Sequence, residues 1–481
     1  MNRTPRLVGL GVRFAALIAV FYLSLHHWMR DGYWEFSGIW HYGLPLLDPR
    51  IPAALLFWLI STAFWILLVL PVALWLAERV PLDTGGRSLV AVVLSIGLGT
   101  RGVVGPLVVR ALVGAPMVLS SSGSSDAGSW LTHPYAARWL ILFTQAWWLL
   151  PLLIVALWLC GSQSARQPRT LRTIRGLLAL YALQQPLDAP YLLTAGGPHG
   201  ATQNLALLAF QEGFGRQEFG YASVLGVLLC VAALPLAWQL RGGLPGPKLS
   251  ESPLTSTCRP AWHTLAALFL LPVVLAGLRR PGAVSVPPAA WVAALVSAGL
   301  AMAGGVWTAF QSATLSALPG RNSGSIVTAA KYWALLFPPL VLVLPMIRPW
   351  GYHTGAVEAA VLFCGMVLFS PHLALGIFTC ELQLYRGTPL RAARCGAGIT
   401  AAWAIWTELG VDVMLSQTRH AWLPLQGWMV WELSTVFRAS PLAVPGWPLA
   451  WVGGALLAWL ALNQILRSSS TSSFADPDRV T

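Results

Sequence analysis

The sequence has little charge. Only 10% of its 481 residues are Asp, Glu, Lys or Arg, whereas 56% are hydrophobic, and a soluble domain carries about 25% charged residues. This shortage excludes an ordinary water-soluble domain. The net charge of +13 would suggest a nucleic-acid partner in a soluble chain, but there is no basic patch interleaved with aromatic residues. The cationic residues lie between apolar stretches, as the positive-inside rule expects. We therefore expect an integral membrane protein that contacts lipid and not nucleic acid.

Several signatures of chemistry are missing as well. None of the six cysteines forms a Cys-x-x-Cys pair, so we expect neither a disulfide framework nor a metal site. The nine histidines are scattered and include no His-x-x-x-His pair. No Gly-x4-Gly-Lys-Ser/Thr loop occurs, so the chain does not bind ATP through that motif. We expect no enzyme activity and no cofactor, and an ATP-driven process would need a separate ATPase subunit.

Long apolar runs dominate the chain. A spanning helix needs about 20 mostly apolar residues, and the stretches that meet this requirement fall into two sets of six. The first set is 8–27, 52–77, 88–114, 135–160, 171–195 and 219–240. The second set is 261–278, 285–315, 324–347, 354–384, 395–416 and 444–466. We therefore predict an all-α integral membrane protein of about 12 transmembrane helices, arranged as a 6+6 pseudo-repeat.

A Gly-, Pro- and Ser-rich segment, Gln239–Trp262, separates the two sets and is typical of a linker. We predict a first half (1–240), a cytoplasmic linker (241–260), a second half (261–467) and a disordered C-terminal tail (468–481). With the N-terminus inside, the inner loops hold most of the loop Lys and Arg residues, although the pair Arg279–Arg280 opposes this orientation. We expect both termini in the cytoplasm and the chain in the cytoplasmic (inner) membrane.

Ionisable residues at membrane depth are costly, so each is a candidate for function. Asp188 lies in the fifth span of the first half, and Glu408 and Asp412 share one helix face in the fifth span of the second half. Carboxylates, amides and aromatic rings together suit a polyhydroxylated solute such as a sugar. Glu408 and Asp412 could instead pair structurally with Arg101 or Lys331 or be capped by backbone groups. The candidate solute-binding residues are Tyr181, Gln184, Asp188, Tyr191, Trp403, Trp406, Glu408 and Asp412.

Two segments echo each other at the same place in each half. Cys160–Gly176 and Cys380–Gly396 both run from a cysteine through an Arg-containing loop to a proline, a basic cluster and a glycine. A new apolar span follows each of them. Transporters often contain such repeats and place the solute site at the repeat interface.

A run of sequence near the end of the first half resembles a known family. The residues that carry the resemblance are Thr194, Gly196, Gly197, Pro198, Thr202, Phe210 and Gly220–Ser223. They resemble the final third of the permease subunits of sugar-importing ABC transporters of the maltose and glycerol-phosphate type. Phe36–Leu56 and Ser129–Trp139 resemble the segments that precede the second and fourth spans of that family, so the similarity covers most of residues 30–240. In the second half, Trp406–Leu409 and the run from Leu315 are more faintly similar to the partner permease.

The resemblance implies a type I ABC importer permease fold, with the two permease subunits fused in one chain. It implies two partners, a dimer of cytoplasmic ABC ATPases and an extracytoplasmic solute-binding protein. It also implies a sugar site between the halves, on the spans that hold Asp188 and Glu408. Two prolines, Pro186 and Pro190, bracket Asp188 and predict a helix that is broken at the acid.

The chain departs from the family where the permease should couple to its ATPase. The family has a short inner helix with Glu-Ala-Ala-x3-Gly in each half, whereas both loops are short here, the first lacks this motif and Arg391 replaces the Glu in the second. A basic loop of this length could dock on an acidic groove of an ATPase or lie on an anionic lipid surface. The candidate coupling residues are Pro168, Arg169, Arg172, Arg175, Pro389, Arg391, Ala392, Ala393 and Gly396.

Three functions are compatible with these features. The first is an importer permease for a carbohydrate or similar polar solute, which works by alternating access and is energised by separate ATPase subunits. The second is a permease-like scaffold, sensor or passive pore that has lost ATPase coupling. The third is an ion-coupled secondary transporter that uses Asp188, Glu408 and Asp412.

Overall fold

A computed structural model describes most of the first half and separate parts of the second half. The described residues are 17–28, 34–79, 86–113, 130–160, 167–183, 188–240, 286–316, 388–407, 425–435 and 446–468, with Phe269, Pro272 and the pairs 375–376, 379–380 and 383–384. The described chain is mostly helical.

The principal helices are named in chain order. In the first half they are α1 (Arg50–Arg79), α2 (Gly86–Leu98), α3 (Val104–Val113), α4 (Pro134–Cys160), α5 (Pro168–Leu183), α6 (Asp188–Thr194), α7 (Leu205–Phe210) and α8 (Phe219–Gln239). In the second half they are α9 (Pro288–Ser316), α10 (Leu390–Trp406), α11 (Leu425–Thr435) and α12 (Trp447–Ser468). Two short helical turns, Trp40–Gly43 and Leu44–Leu47, precede α1.

Five of these helices are long and apolar enough to cross a membrane. They are Arg50–Arg79, Pro134–Trp158, Phe219–Trp238, Pro288–Ser312 and Trp447–Leu466. Each coincides with one predicted span, because an uninterrupted apolar run of about 20 residues has few other stable folds. The predicted helical membrane-type architecture is therefore confirmed in this coarser form. The predicted spans 261–278, 324–347 and 354–384 lie outside the described residues apart from single residues or pairs, so the count of 12 and the division into halves stay predictions.

The predicted span 88–114 is wrong as a single helix. The structure divides it into α2 and α3, with turns at residues 99–103. Gly102 has a φ of +80°, a left-handed conformation that glycine adopts without steric cost. A Cβ atom at Gly102 would lie 2.6 Å from the backbone oxygen of Thr407. The glycine therefore allows the turn between α2 and α3 and lets the predicted second half approach closely.

The first predicted span also ends earlier than expected. Residues 17–24 are helical, but His26–Trp28 forms a strand, β1, that pairs with β2 (Trp34–Phe36) in an antiparallel hairpin. His26 lies opposite Phe36 and Trp28 opposite Trp34 in the register. The rings of His26 and Phe36 pack edge-on with 5.4 Å between their centroids, and an aromatic cross-strand pair of this kind stabilises a hairpin. The predicted all-α class is therefore incomplete, since the described residues include this small sheet.

The predicted span 171–195 is described as two helices. α5 ends at Leu183 and α6 begins at Asp188. Asp188 lies in the first turn of α6, where the helix dipole favours an acid. Gln184, Gln185, Pro186 and Leu187 lie outside the described residues, so the geometry of the predicted break is not described.

Helices of the two halves pack against each other. In the second half α9 runs along α10, α10 packs on α12, and α12 packs on α2 of the first half. The α9–α10 crossing is close because glycine lies on both sides: a Cβ atom on Gly305 would lie 2.8 Å from the Gly398 carbonyl oxygen, and the reverse distance is also 2.8 Å. Small residues allow such close backbone approach between helices in membranes.

Candidate functional site

Arg101 lies at the boundary between the halves, in the turn between α2 and α3. Its guanidinium carbon is 5.0 Å from the ring centroid of Trp148 on α4 and 5.5 Å from that of Trp403 on α10. Both distances are within the range of cation–π attraction. The break in the predicted third span therefore places a cation between an aromatic ring of each half.

Further aromatic rings extend this arrangement into the first half. Tyr181 on α5 packs edge-on against Trp148, with 5.4 Å between ring centroids, and lies 4.9 Å from Trp65 on α1. We call Arg101, Trp148, Trp403, Tyr181 and Trp65 the arginine–tryptophan cluster. Two of its members, Tyr181 and Trp403, are predicted solute-binding residues, and the structure brings them to the same cluster. Trp65 lies on a π-helical turn, Trp65–Val69, a local widening that is frequent at functional sites.

A glutamine holds the Arg101 turn against the second half. The Gln426 side-chain oxygen accepts a hydrogen bond from the Val103 backbone N–H (3.0 Å), and its amide nitrogen donates to the Trp406 carbonyl oxygen (3.4 Å). Trp406 itself donates its indole N–H to the Ala450 carbonyl oxygen (3.0 Å) and is buried. The polar atom of Trp406 is thus already bonded within the protein. The predicted site residues Trp403 and Trp406 therefore face different surroundings.

The described acid of the predicted site, Asp188, is buried at the start of α6, which packs against α3 and α4. Tyr191, one turn further on, packs its ring edge-on against Phe210 at 5.4 Å between centroids. The remaining predicted residues Gln184, Glu408 and Asp412 lie outside the described residues. Whether the acids of the two halves face each other therefore stays a prediction.

Sequence reasoning missed Gln145. Its side chain is 1% exposed in the middle of α4, and neither its amide nitrogen nor its amide oxygen has a hydrogen-bond partner within the described structure. Gln145 lies three residues before Trp148, so both residues face the same side of α4. The buried indole nitrogens of Trp403 and Trp65 are likewise unpartnered in the described part. Buried polar groups normally have a partner, so this face of α4 offers hydrogen bonds that the described protein does not use.

Arg110 on α3 is a buried cation. One of its terminal nitrogens donates to the Leu193 carbonyl oxygen (3.3 Å), near the C-terminal end of α6. The dipole of a helix favours a cation at that end. Arg110 therefore ties α3 to the helix that begins at Asp188.

A second polar group joins two distant segments of the predicted first half. We call it the outer charge network, because the predicted orientation would place it on the outer side. Arg50 bonds Asp48 through its Nε (2.9 Å) and one terminal nitrogen (2.8 Å), and bonds Glu212 through the other (2.6 Å). Tyr221 donates its hydroxyl to Asp48 at 2.8 Å, and Arg216 lies 3.3 Å from Glu212. Burial would raise the pKa of the Asp48 carboxyl, but the hydrogen bonds from Arg50 and Tyr221 outweigh it and lower this pKa.

The outer charge network connects segments that carry the family resemblance. Asp48 and Arg50 belong to Phe36–Leu56, and Tyr221 belongs to the run Gly220–Ser223. Sequence reasoning used Arg50 and Arg216 only as loop charges. Glu212 lies on a π-helical turn, Gln211–Gly215, which a pattern of apolar residues does not predict.

The Gly-Gly-Pro segment forms a tightly bonded loop between α6 and α7. α6 ends at Thr194, as the glycines that follow predict. The hydroxyls of Thr194 and Thr202 are 2.6 Å apart, and Thr202 donates to the Gly197 carbonyl oxygen at 2.7 Å. Asn204 then caps α7 by accepting the Leu207 backbone N–H at 2.6 Å. The residues of the resemblance therefore build a defined turn.

The candidate coupling segments form the first turns of long helices. α5 begins at Pro168, and Arg172 and Arg175 are exposed on it. Pro389 precedes α10, on which Arg391 is exposed and Ala392 half-buried. The inward-facing members Ala393 and Gly396 are buried. Arg169 lies in the first turn of α5.

The similar segments Cys160–Gly176 and Cys380–Gly396 therefore share one structural feature, in which a proline is followed by a basic first turn of a helix. Among the described residues, Gln383 and Leu384 are helical and precede α10, whereas residues 161–166 before α5 lie outside the described residues.

The described residues contain no group of three or more His, Cys, Asp or Glu side chains that could hold a metal ion. The described residues are mostly helical and include apolar helices that could span a membrane. A scan of protein-family models and a search of curated proteins each gave no match.

Proposed function

We propose that this chain is the membrane-spanning permease of an importer for a carbohydrate or similar polar solute. The observation that carries the proposal is the arginine–tryptophan cluster, which lies between the halves and beside the unpartnered amide of Gln145. Flat aromatic rings with nearby hydrogen-bonding groups suit the apolar faces and hydroxyl groups of a sugar. Repeat interfaces are also where transporters place their solutes.

In this proposal the distance between the rings of the arginine–tryptophan cluster changes as the two halves alternate access to the two sides of the membrane. Trp148 belongs to the first half and Trp403 to the second, so a relative movement of α4 and α10 separates the two rings that flank Arg101. The polar atoms of Gln145 and Trp403 then become available to a solute. Asp188, Glu408 and Asp412 would add carboxylates to the same path, as the sequence predicts.

The partners follow from the family resemblance. A dimer of ABC ATPases would dock on the cytoplasmic side at the exposed arginines Arg172, Arg175 and Arg391, and a solute-binding protein would deliver the solute from outside. The chain would lie in the cytoplasmic membrane with both termini in the cytoplasm. The cationic surface of the two basic helix starts complements an acidic groove.

A second candidate is a permease-like scaffold or sensor without ATPase coupling. It is favoured by one observation: the basic residues Arg172, Arg175 and Arg391 belong to the long helices α5 and α10 themselves. An ion-coupled carrier is the third possibility, because Asp188 is a buried acid on a helix of the first half.

One experiment separates these functions. The chain is reconstituted in liposomes with candidate ATPases and solute-binding proteins, and ATP hydrolysis and solute uptake are measured. An importer shows solute-stimulated hydrolysis and ATP-dependent uptake. Absence of ATPase binding with every candidate favours the scaffold, and uptake that survives without ATP but collapses with the proton gradient identifies the ion-coupled carrier.

A further inference from the structure

The segment between the hairpin and α1 presents large apolar side chains to the outside. Its members are among the most exposed hydrophobic residues of the described chain: Phe36 (68%), Ile39 (81%), Trp40 (77%), Leu46 (87%) and Leu47 (82%). We call residues 36–47 the apolar foot. A contiguous apolar patch on a protein surface marks an interaction site.

The apolar foot is held in place by its polar members. His41 is buried, and the Tyr42 hydroxyl lies 2.6 Å from the Ser24 hydroxyl of the first helix. Two short helical turns and the hairpin strand Trp34–Phe36 fix the backbone. The apolar side chains therefore point away from a rigid base, and no Asp, Glu, Lys or Arg occurs between Phe36 and Leu47.

The position of the apolar foot limits what can cover it. Leu47 lies three residues before Arg50, where the candidate membrane span α1 begins. Three residues of extended chain reach about 10 Å, so Leu47 cannot lie far from the bilayer surface. The exposed leucines Leu55 and Leu59 continue the apolar surface along α1. The uncharged composition of the foot and its continuity with this span both match lipid.

We propose that the apolar foot inserts into the interfacial layer of the membrane and contacts phospholipid. Under the proposed orientation, with the N-terminus in the cytoplasm, this is the outer leaflet. Trp and Leu side chains on the apolar face of an interfacial segment bind at the boundary between headgroups and acyl chains. The surface is thus a membrane anchor that neither composition nor span prediction assigns.

The anchor is tied directly to the outer end of the last span of the first half. The outer charge network begins at Asp48, the residue after the foot, and reaches Glu212 and Tyr221 through Arg50 and Asp48. Gly220 packs against His41 and the His26 backbone. The foot and the start of α8 therefore form one unit, and a change in the outer leaflet acts on the loop that holds Glu212.

Photocrosslinking of the full chain tests this inference. A benzophenone amino acid replaces Phe36, Trp40 or Leu46 one at a time, and the protein is irradiated in nanodiscs of cytoplasmic-membrane phospholipids. Intact-mass spectrometry identifies each adduct as lipid or protein. Glu35 is the matched control, because it is the strand neighbour of Phe36 and its side chain points to the opposite face.

We expect phospholipid adducts at the three foot positions, in yields at least several-fold above that at Glu35. Equal yields at Glu35 and Phe36 would overturn the proposal. Adducts with a second copy of the chain, or with an added solute-binding protein in place of lipid, would also overturn it. The measurement needs neither solute nor ATPase, so its failure is distinct from a failure of the proposed transport function.

Discussion

Replacing Arg50 by methionine tests the outer charge network most directly. The substitution keeps an unbranched apolar stem but leaves two buried carboxylates, Asp48 and Glu212, without their shared cation. The exposed fractions of the two acid side chains are 8% and 3%. Breaking a buried ion pair by removing one partner costs roughly 3–5 kcal/mol.

Three features of the structure lower that figure. Arg50 keeps 32% of its side chain exposed, Arg216 still faces Glu212, and Tyr221 still bonds Asp48. We therefore expect a loss of about 2–3 kcal/mol in local stability, since solvent and the remaining partners offset part of the cost. At about 1.4 kcal/mol per factor of ten, the opening equilibrium of this region rises roughly 30- to 150-fold.

Hydrogen–deuterium exchange of the chain in nanodiscs measures this opening. Peptides that cover the loop around Glu212 should exchange faster in Arg50→Met by about that factor, because local opening limits exchange. The matched control is Arg216→Met. Its side chain is 64% exposed, so the loss should stay below about 1 kcal/mol. A double variant, Arg50→Met with Glu212→Gln, should recover part of the protection, since it removes the unpaired charge.

Two outcomes would refute the reasoning. If Arg50→Met leaves exchange around Glu212 unchanged, the ion pairs do not stabilise this loop. If Arg216→Met accelerates exchange as much as Arg50→Met, the burial of the Arg50 ion pairs does not explain how much they stabilise the loop.

The remaining predictions concern the site, the helix crossing and pH. Gln145→Leu should lower solute uptake while leaving thermal stability unchanged or higher, since it removes a buried amide that has no partner among the described residues. Unchanged uptake would remove Gln145 from the site. Thr144→Val is the control, because the Thr144 hydroxyl already bonds the Leu140 carbonyl oxygen. Asp188→Asn or Glu408→Gln should weaken uptake without loss of assembly, and normal uptake in both would exclude these acids. Gly398→Val should cost about 1–3 kcal/mol by overpacking the α9–α10 crossing, whereas Gly299→Ala, with nothing within 4 Å of its Cβ position, should be neutral or stabilising in melting assays. The pKa of Asp48 is lowered in the folded protein, so the stability that the ionised carboxylate contributes is present above pH 3.8 and is lost as the pH falls below that value. The difference in melting temperature between wild type and Asp48→Asn should therefore shrink as the pH falls below 3.8. A difference that does not change with pH would contradict this prediction.

The sequence predicts the long helices well and the short or broken ones poorly. α1, α4, α8, α9 and α12 each coincide with one apolar run, since length and hydropathy alone demand a helix there. Hydropathy averaged over a window does not reveal the turn at Gly102, because a glycine interrupts a helix without making the window less apolar. It also misses α11, whose 11 residues are too few to count as a span.

The site was predictable only in part, for a related reason. Tyr181 and Trp403 were found because a buried acid or an aromatic-rich span drew attention to them. Gln145 is a single amide in an apolar run, and only its lack of a hydrogen-bond partner among the described residues marks it. Arg50 and Glu212 are separated by 162 positions, and no local pattern links residues so far apart.

The close contact between Gly305 of α9 and Gly398 of α10 provides a point about which α10 can tilt relative to α9. Gly398 lies seven residues after Arg391 and five before Trp403, which at 1.5 Å per residue gives arms of about 10 Å and about 7 Å. The side chains closest to these two glycines are the methyl groups of Ala309 and Ala402, so α10 can tilt about this contact at limited steric cost. A tilt of about 10° would carry the basic end by roughly 2 Å and the tryptophan end by roughly 1 Å in the opposite direction, as these helical arms dictate. In the proposed importer, a push on the basic turn at Arg391 would then withdraw Trp403 from the arginine–tryptophan cluster.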